Sequence, residues 1–380
     1  MEKNKNVHLM YLIVFLQGFV FYGSIATIYR ETRGISISEV FIIESIFFVL
    51  MIMLEVPWGW FADRFGYKNT LVISNFIFFI SKIIFWRAAG FQLFLLERFL
   101  LAIALSGLSG CDSALLYLSI DKEDNSEEVF GKYNFYSNSG FLLSSLVSGF
   151  IINISMDLAA FFTIIPYLAA LLVSLFLVDV KSEKENRGSI KESFKEVLKN
   201  KKFIILIITF ALMEEIVQGI TVFLNQEQYI KSGIDIKYFG VILAFLAIVK
   251  LTSAKSYKIS EKFGQKKAIL LLSLIISITS GALAFISSPG LSILFIAIIS
   301  GASALMMPMI SDIKNKSIDQ EDRATILSIY SMIGSLISVF INPVIGATSE
   351  VSLEMGIVSC FIIGLIGSLS MWKILKSNRN

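Results

Sequence analysis

Apolar residues in this chain fall into long runs of about 20, separated by brief stretches of charge, Gly, Pro or Asn. A helix of that length crosses a hydrocarbon core about 30 Å thick. A soluble chain would instead mix shorter apolar runs with polar positions at helical or strand spacing. The punctuation predicts twelve transmembrane helices, near residues 8–29, 37–61, 69–88, 92–118, 134–153, 158–178, 203–224, 237–254, 268–287, 290–312, 324–346 and 353–373. The first run follows Lys3 and Lys5 but exceeds a signal-peptide core and lacks a convincing small-residue cleavage site, so it reads as the first span.

Composition agrees with this pattern. Apolar residues make up 55% of the chain and charged residues 17%, a charge share too low for an ordinary globular domain. The single histidine, His8, stands at a span boundary, which leaves little material for histidine catalysis or metal ligation. Cys111 and Cys360 both lie inside apolar runs and read as core residues rather than a disulfide or metal pair. No metal site and no cofactor is expected.

The distribution of charge sets an orientation. Of the 33 Lys and Arg residues, 25 fall in the termini and in the connections on one side of the predicted spans. The positive-inside rule makes that side cytoplasmic, so both termini are expected in the cytoplasm, as an even number of spans requires. One long polar segment, 180–202, interrupts the chain between spans six and seven. Ile190, Phe194, Val197 and Leu198 recur there at helical spacing among lysines, which predicts an amphipathic helix on the membrane surface, with a solvated linker as the alternative. The expected domains are therefore an N-terminal six-helix bundle (1–179), this linker (180–202) and a C-terminal six-helix bundle (203–380).

The two halves share a repeat. Ala62-Asp63-Arg64-Phe65-Gly66-Tyr67-Lys68 follows span two, and Ser260-Glu261-Lys262-Phe263-Gly264-Gln265-Lys266 follows span eight, 198 residues on. Acid, base, Phe, Gly and Lys stay in register, as in transporters built from duplicated bundles.

The first copy, with Gly59 upstream, resembles the signature G-x-L-A-D-R-x-G-R-K between helices 2 and 3 of the major facilitator superfamily. Gly59, Ala62, Asp63, Arg64, Gly66 and Lys68 match; Phe61 replaces Leu and Tyr67 replaces Arg. Arg98 resembles the arginine of the family's helix 4 signature, although Leu101, Ala102 and Ala104 stand where Gln and glycines are expected. The stretch from Ser109 to Tyr117 and the run from Asn315 to Ser328 resemble a poorly characterised bacterial branch near the efflux permeases. Helix 5 lacks the Gly-Pro pattern of drug–proton antiporters. The resemblance implies an all-α membrane fold of two pseudo-symmetric six-helix bundles working by rocker-switch alternating access. It also implies that Asp63 docks on the start of helix 11, near residues 320–324, with Gly59, Arg64, Gly66 and Lys68 completing a cytoplasmic gate. A purely topological role for this loop stays open.

Charges within apolar spans are costly and point to function. They comprise Glu44, Glu55, Lys82, Glu97, Arg98, Asp112, Glu214, Glu215 and Lys250. A buried carboxylate can load and release a proton as its surroundings change. On that basis Glu55, Asp112 and Glu214 are candidates for proton coupling, with Arg98 as a counter-charge or substrate contact. Glu214 and Glu215 point about 100° apart on a helix, so at most one of them faces a central cavity. Lys82 and Lys250 can snorkel. Gln17, Phe21, Tyr22, Tyr136 and Asn138 are candidate cavity-lining residues.

Together these features predict a monomeric multi-pass protein of the cell membrane that is not an enzyme and binds no nucleic acid. The expected activity is proton-coupled export of a drug-like or metabolite small molecule. Uptake of a nutrient or other organic solute remains an alternative, as does a non-transporting membrane sensor.

Overall fold

In the computed structural model, residues 2–120, 126–180, 201–316 and 323–377 are described. The amphipathic linker and residues 320–322 at the expected docking point of Asp63 lie outside them. Among the described residues the chain is helical, with no strand.

The elements are α1 (Glu2–Gln17), α2 (Ala26–Thr32), α3 (Ile37–Phe65), α4 (Tyr67–Arg87), α5 (Gly90–Leu108), α6 (Cys111–Leu118), α7 (Ser126–Ile154) and α8 (Met156–Ser174). They continue with α9 (Lys201–Gln218), α10 (Asn225–Lys231), α11 (Phe239–Lys250), α12 (Ser256–Phe263), α13 (Gln265–Leu283), α14 (Pro289–Lys316), α15 (Arg323–Val351) and α16 (Leu353–Ser377). Eleven continuous stretches among the described residues are long and apolar enough to span a bilayer. The twelfth span is the first, and it is broken: α1 stops at Gln17 and α2 restarts at Ala26.

The break is held by side chains from later helices. Tyr167 of α8 donates to the Gln17 carbonyl at 2.8 Å. Thr163 accepts from the Phe21 amide at 3.0 Å, and Ser144 of α7 lies 3.2 Å from the Gly18 carbonyl oxygen. Unwound backbone survives at membrane depth only with such partners. The span expected at 203–224 carries a comparable irregularity, a π-helical turn at Gly219–Leu224, and helix then continues through α10 to Lys231. The 198-residue offset carries residues 18–25 onto 216–223, so both irregularities occupy equivalent places.

The connections show the same duplication. Only Gly66 separates α3 from α4, so the expected 62–68 loop is nearly all helix, and only Gly264 separates α12 from α13. Their φ angles are +85° and +78°, in the left-handed region that glycine tolerates best.

Two compact units emerge. One gathers Met1–Ile35, Ile46–Lys184 and Ile236–Ala244; the other gathers Ser36–Ser45, Glu185–Asp235 and Phe245–Asn380. In the first, α1 packs on α7 and α8, α4 on α5 and α8, and α7 on α8. In the second, α9 packs on α15 and α16, α13 on α14 and α16, and α15 on α16. Each pairing in one unit has its counterpart in the other.

Small residues set these crossings. A Cβ on Gly140 of α7 would collide with the Phe15 carbonyl oxygen of α1, and one on Gly364 of α16 would lie 2.6 Å from Ser277 Oγ of α13. Within the second unit the start of α3 packs on α15: a Cβ on Gly346 would lie 2.7 Å from Phe41 Cβ. The Phe41 ring also meets that of Phe223, centroids 5.0 Å apart.

Candidate functional site

Within the second unit, Glu215 on α9 is 3% exposed. Ser338 of α15 donates its hydroxyl to the Glu215 carboxylate. Asn342, one turn further along α15 and wholly buried, lies beside that carboxylate. Glu44 of α3, also buried, is within electrostatic range of Glu215. Glu214, turned about 100° from its neighbour, is only half-buried, and the cation acting on it is Lys314 of α14. The polar environment thus belongs to Glu215. Its signal in the sequence was Ser338 and Asn342, spaced one turn apart within a largely apolar stretch of α15.

In the first unit, Gln17 and Asp112 line one cavity of about 30 Å³, with Asn75 and Tyr133. That is room for a water molecule or two. Gln17 donates to Asn75 Oδ1 at 2.8 Å, and Tyr133 donates to Asp112 Oδ2 at 2.9 Å. The other Asp112 oxygen accepts from the Ser113 amide at 2.6 Å. Tyr133 was absent from the sequence candidates because it falls outside the predicted fifth span, which α7 extends back to Ser126.

A second polar cluster in this unit joins α2, α4 and α5. Arg30, one residue beyond the predicted first span, is 4% exposed and pairs with Glu97 of α5 at 3.7 Å. Its guanidinium lies 5.3 and 5.9 Å from the ring centroids of Phe85 and Phe94. Lys82 does not snorkel: it is 4% exposed, donates to Tyr22 Oη at 2.9 Å and lies 4.8 Å from the rings of both Phe78 and Tyr167. Tyr22 in turn stacks on Phe85, centroids 3.9 Å apart. Arg98 sits over the Phe47 ring at 5.4 Å. Arg98 and Asp112 do not share one regular helix. Gly110, at φ +78°, breaks the fourth span between α5 and α6.

The other predicted residues are dispersed. Glu55, Asp63 and Arg64 are exposed, and Gly59 and Lys68 are half-buried. Arg64 lies 5.4 Å from the Trp60 ring centroid. Gly66 packs against the Asp179 carboxylate. Phe21 is half-buried near Phe19; Tyr136 is exposed and stacks on Tyr11 at 5.1 Å, and Asn138 is exposed beyond it. Cys111 and Cys360 are buried thiols. Among the described residues no group of three His, Cys, Asp or Glu side chains could hold a metal.

Twelve spans, a packing pattern repeated in two units and charged groups buried among them define a multi-pass membrane protein of duplicated helical bundles. The chain belongs to the Major Facilitator Superfamily, whose family model matches residues 7–343. It is 22% identical over 194 residues to the quinolone resistance protein NorA of Staphylococcus aureus (strain Mu50 / ATCC 700699), covering 49% of this chain and 48% of that protein. It is 25% identical over 241 residues to multidrug resistance protein 2 of Bacillus subtilis (strain 168), covering 60% and 59%. The chain thus spans about half the length of the curated relatives it matches. Among solved structures, the nucleoside transporter NupG superposes with TM-score 0.81 at 14% identity, covering 100% of this chain and 99% of that one. A POT family transporter in complex with 5-aminolevulinic acid gives TM-score 0.75 at 16% identity, covering 97% and 95%. At these identities the likeness is one of fold alone.

Proposed function

We propose that this protein exports a small organic molecule across the cell membrane by alternating access, driven by proton entry, with both termini in the cytoplasm. The observation that carries the coupling is the environment of Glu215. A carboxylate buried at membrane depth, held by a serine hydroxyl and next to a π-helical turn, can bind a proton in one state and release it in another. Glu44 lies within electrostatic range of it. Glu215 therefore replaces Glu214 as the leading carboxylate of the second unit, while Asp112, with its cavity, and Glu55 remain candidates in the first. Likeness to two bacterial resistance proteins supports export over uptake. The Asp63 loop, with Gly59, Arg64, Gly66 and Lys68, acts in this reading as the cytoplasmic gate, and the chain works as a monomer of two bundles, 1–179 and 203–380.

Proteoliposomes loaded with a quinolone and subjected to an imposed pH gradient test this reading. Gradient-driven movement that collapses with a protonophore is expected. Glu215→Gln is expected to abolish it, and Glu214→Gln to leave at least half. Movement indifferent to the gradient would remove proton coupling. Movement only into the cytoplasmic compartment would favour uptake.

A further inference from the structure

Two helix breaks meet at the cavity that Gln17, Asn75, Asp112 and Tyr133 share in the first unit. Gln17 is the last residue of α1 and Leu108 the last of α5, while Asp112 stands in the first turn of α6, just past the break at Gly110; all three line the cavity. The rest of its wall is apolar, with Met10 and Leu71 among it. At about 30 Å³ the space takes a water molecule or a bare metal ion and excludes an organic solute.

The hydrogen bonds leave oxygen lone pairs there. The Leu71 carbonyl can only accept, so Asn75 turns its Nδ2 to it at 2.8 Å and offers Oδ1 to Gln17 Nε2, also at 2.8 Å. That order leaves Gln17 Oε1 with no hydrogen bond among the described residues. The Tyr133 hydroxyl proton goes to Asp112 Oδ2 at 2.9 Å, which leaves the lone pairs of its own oxygen. Asp112 Oδ1 is taken by the Ser113 amide at 2.6 Å at the start of α6, so Oδ2 keeps acceptor capacity beyond its one tyrosine donor.

The charge here is one-sided. Asp112 is the one charged residue lining the cavity, and among the described residues no Lys or Arg pairs with it. The C-terminal ends of α1 and α5 add partial negative charge. An uncompensated carboxylate within a span is costly. A single positive charge would offset it. Divalent ions fit less well, since Ca²⁺ takes about six to eight oxygens and Mg²⁺ sheds its water reluctantly. Oxygen donors without thiolate or imidazole do not suit the softer transition metals. Broken helices whose C-terminal ends converge are a setting in which membrane transporters hold Na⁺.

We propose that this cavity is a sodium-binding site, with Asp112 Oδ2, Gln17 Oε1 and Tyr133 Oη as ligands and Asn75 fixing the Gln17 amide. The bound ion joins the first span to the fourth at their breaks. It gives Asp112 a partner other than the proton, and it belongs to a different unit from the Glu215 group.

Binding of radiolabelled Na⁺ to the full-length protein in nanodiscs, read by scintillation proximity with choline holding the ionic strength constant, tests this. Saturable binding is expected, with unlabelled Na⁺ displacing the label at least tenfold more effectively than K⁺. Asp112→Asn should abolish it. Leu108→Phe, which fills the cavity and leaves every oxygen in place, should do the same. Glu261→Gln, at an exposed carboxylate of the second unit, should change nothing. Should Asp112→Asn or Leu108→Phe fail to fold, Gln17→Met and Tyr133→Phe each remove one ligand oxygen and are expected to weaken binding at least fivefold. Absence of saturable binding at physiological Na⁺ concentration would leave the cavity to water and overturn the proposal. So would unchanged binding in Asp112→Asn, or displacement of the label by Ca²⁺ at lower concentration than by Na⁺. Because binding requires no turnover, a protein that binds Na⁺ and moves no solute refutes the transport reading alone. One that transports and binds no Na⁺ refutes the sodium site alone.

Discussion

Gly66 presses its bare Cα against the carboxylate of Asp179, so that a Cβ there would stand 2.8 Å from Asp179 Oδ1 and closer still to Oδ2. Its counterpart one repeat later, Gly264, has the same backbone conformation, but a Cβ there would meet nothing within 4 Å. The two glycines therefore separate backbone strain from crowding. Gly264→Ala should cost about 1–3 kcal/mol, the backbone penalty alone for a positive-φ extended conformation. Gly66→Ala should cost about 1 kcal/mol or more beyond that, because the carboxylate must also shift. Thermal unfolding followed by maleimide labelling of the buried Cys111 and Cys360 thiols measures both. Equal losses would mean that Asp179 moves freely.

Asn6 ties three chain segments together. Its amide donates to Ser119 Oγ at 3.0 Å and to the Val178 carbonyl at 2.9 Å, while its oxygen accepts from the Val178 amide at 2.8 Å. Asn6→Ala leaves those groups without partners and is expected to destabilise the protein by about 2–4 kcal/mol. Asn6→Asp should be at least as damaging, since it turns a double donor into an acceptor facing a carbonyl. The same thiol-labelling melt reads both, and a loss below about 1 kcal/mol would contradict the clamp.

Asp112 and Tyr133 should behave as one unit. Tyr133→Phe and Asp112→Asn are each expected to slow transport, and the double variant should be no slower than the worse single one. A coupling of about 1.5–3 kcal/mol is expected in the double-mutant cycle, as for a hydrogen bond to a charged group. Additive effects on transport rate would show that the two act separately.

Glu215→Gln should split exchange from accumulation. With the titrating group replaced by a neutral amide, substrate counterflow at equal pH on both sides should persist within about threefold, while a pH gradient no longer drives uphill movement. Ser338→Ala should change the pH dependence of driven transport without removing it. Loss of counterflow together with accumulation in Glu215→Gln would instead assign the carboxylate to substrate binding.

The spans were legible because hydropathy and length are properties of local sequence, and the Gly66 and Gly264 turns because the repeat keeps their neighbours in register. The break at Gly18 was not legible: one glycine in an apolar run is common, and the groups that hold the break open, Ser144, Thr163 and Tyr167, come from helices more than 120 residues away. Arg30 was absent from the charged candidates because it follows the apolar run, while its burial depends on Glu97, Phe85 and Phe94. The choice between Glu214 and Glu215 likewise depended on Ser338, over 120 residues distant. Sequence located charge at membrane depth; tertiary packing decided which charges share a site.

The unwound segment after Gln17 also bears on how the chain is made. The first span leaves the ribosome long before α7 and α8 are synthesised, so the Gln17 carbonyl and the Phe21 amide must wait for Tyr167 and Thr163. Until then the segment either stays helical through Gly18 or keeps those groups near lipid headgroups and water. The break is therefore a late event, completed when the sixth span docks, and translation arrested before residue 163 should leave the first span unlocked in the bilayer.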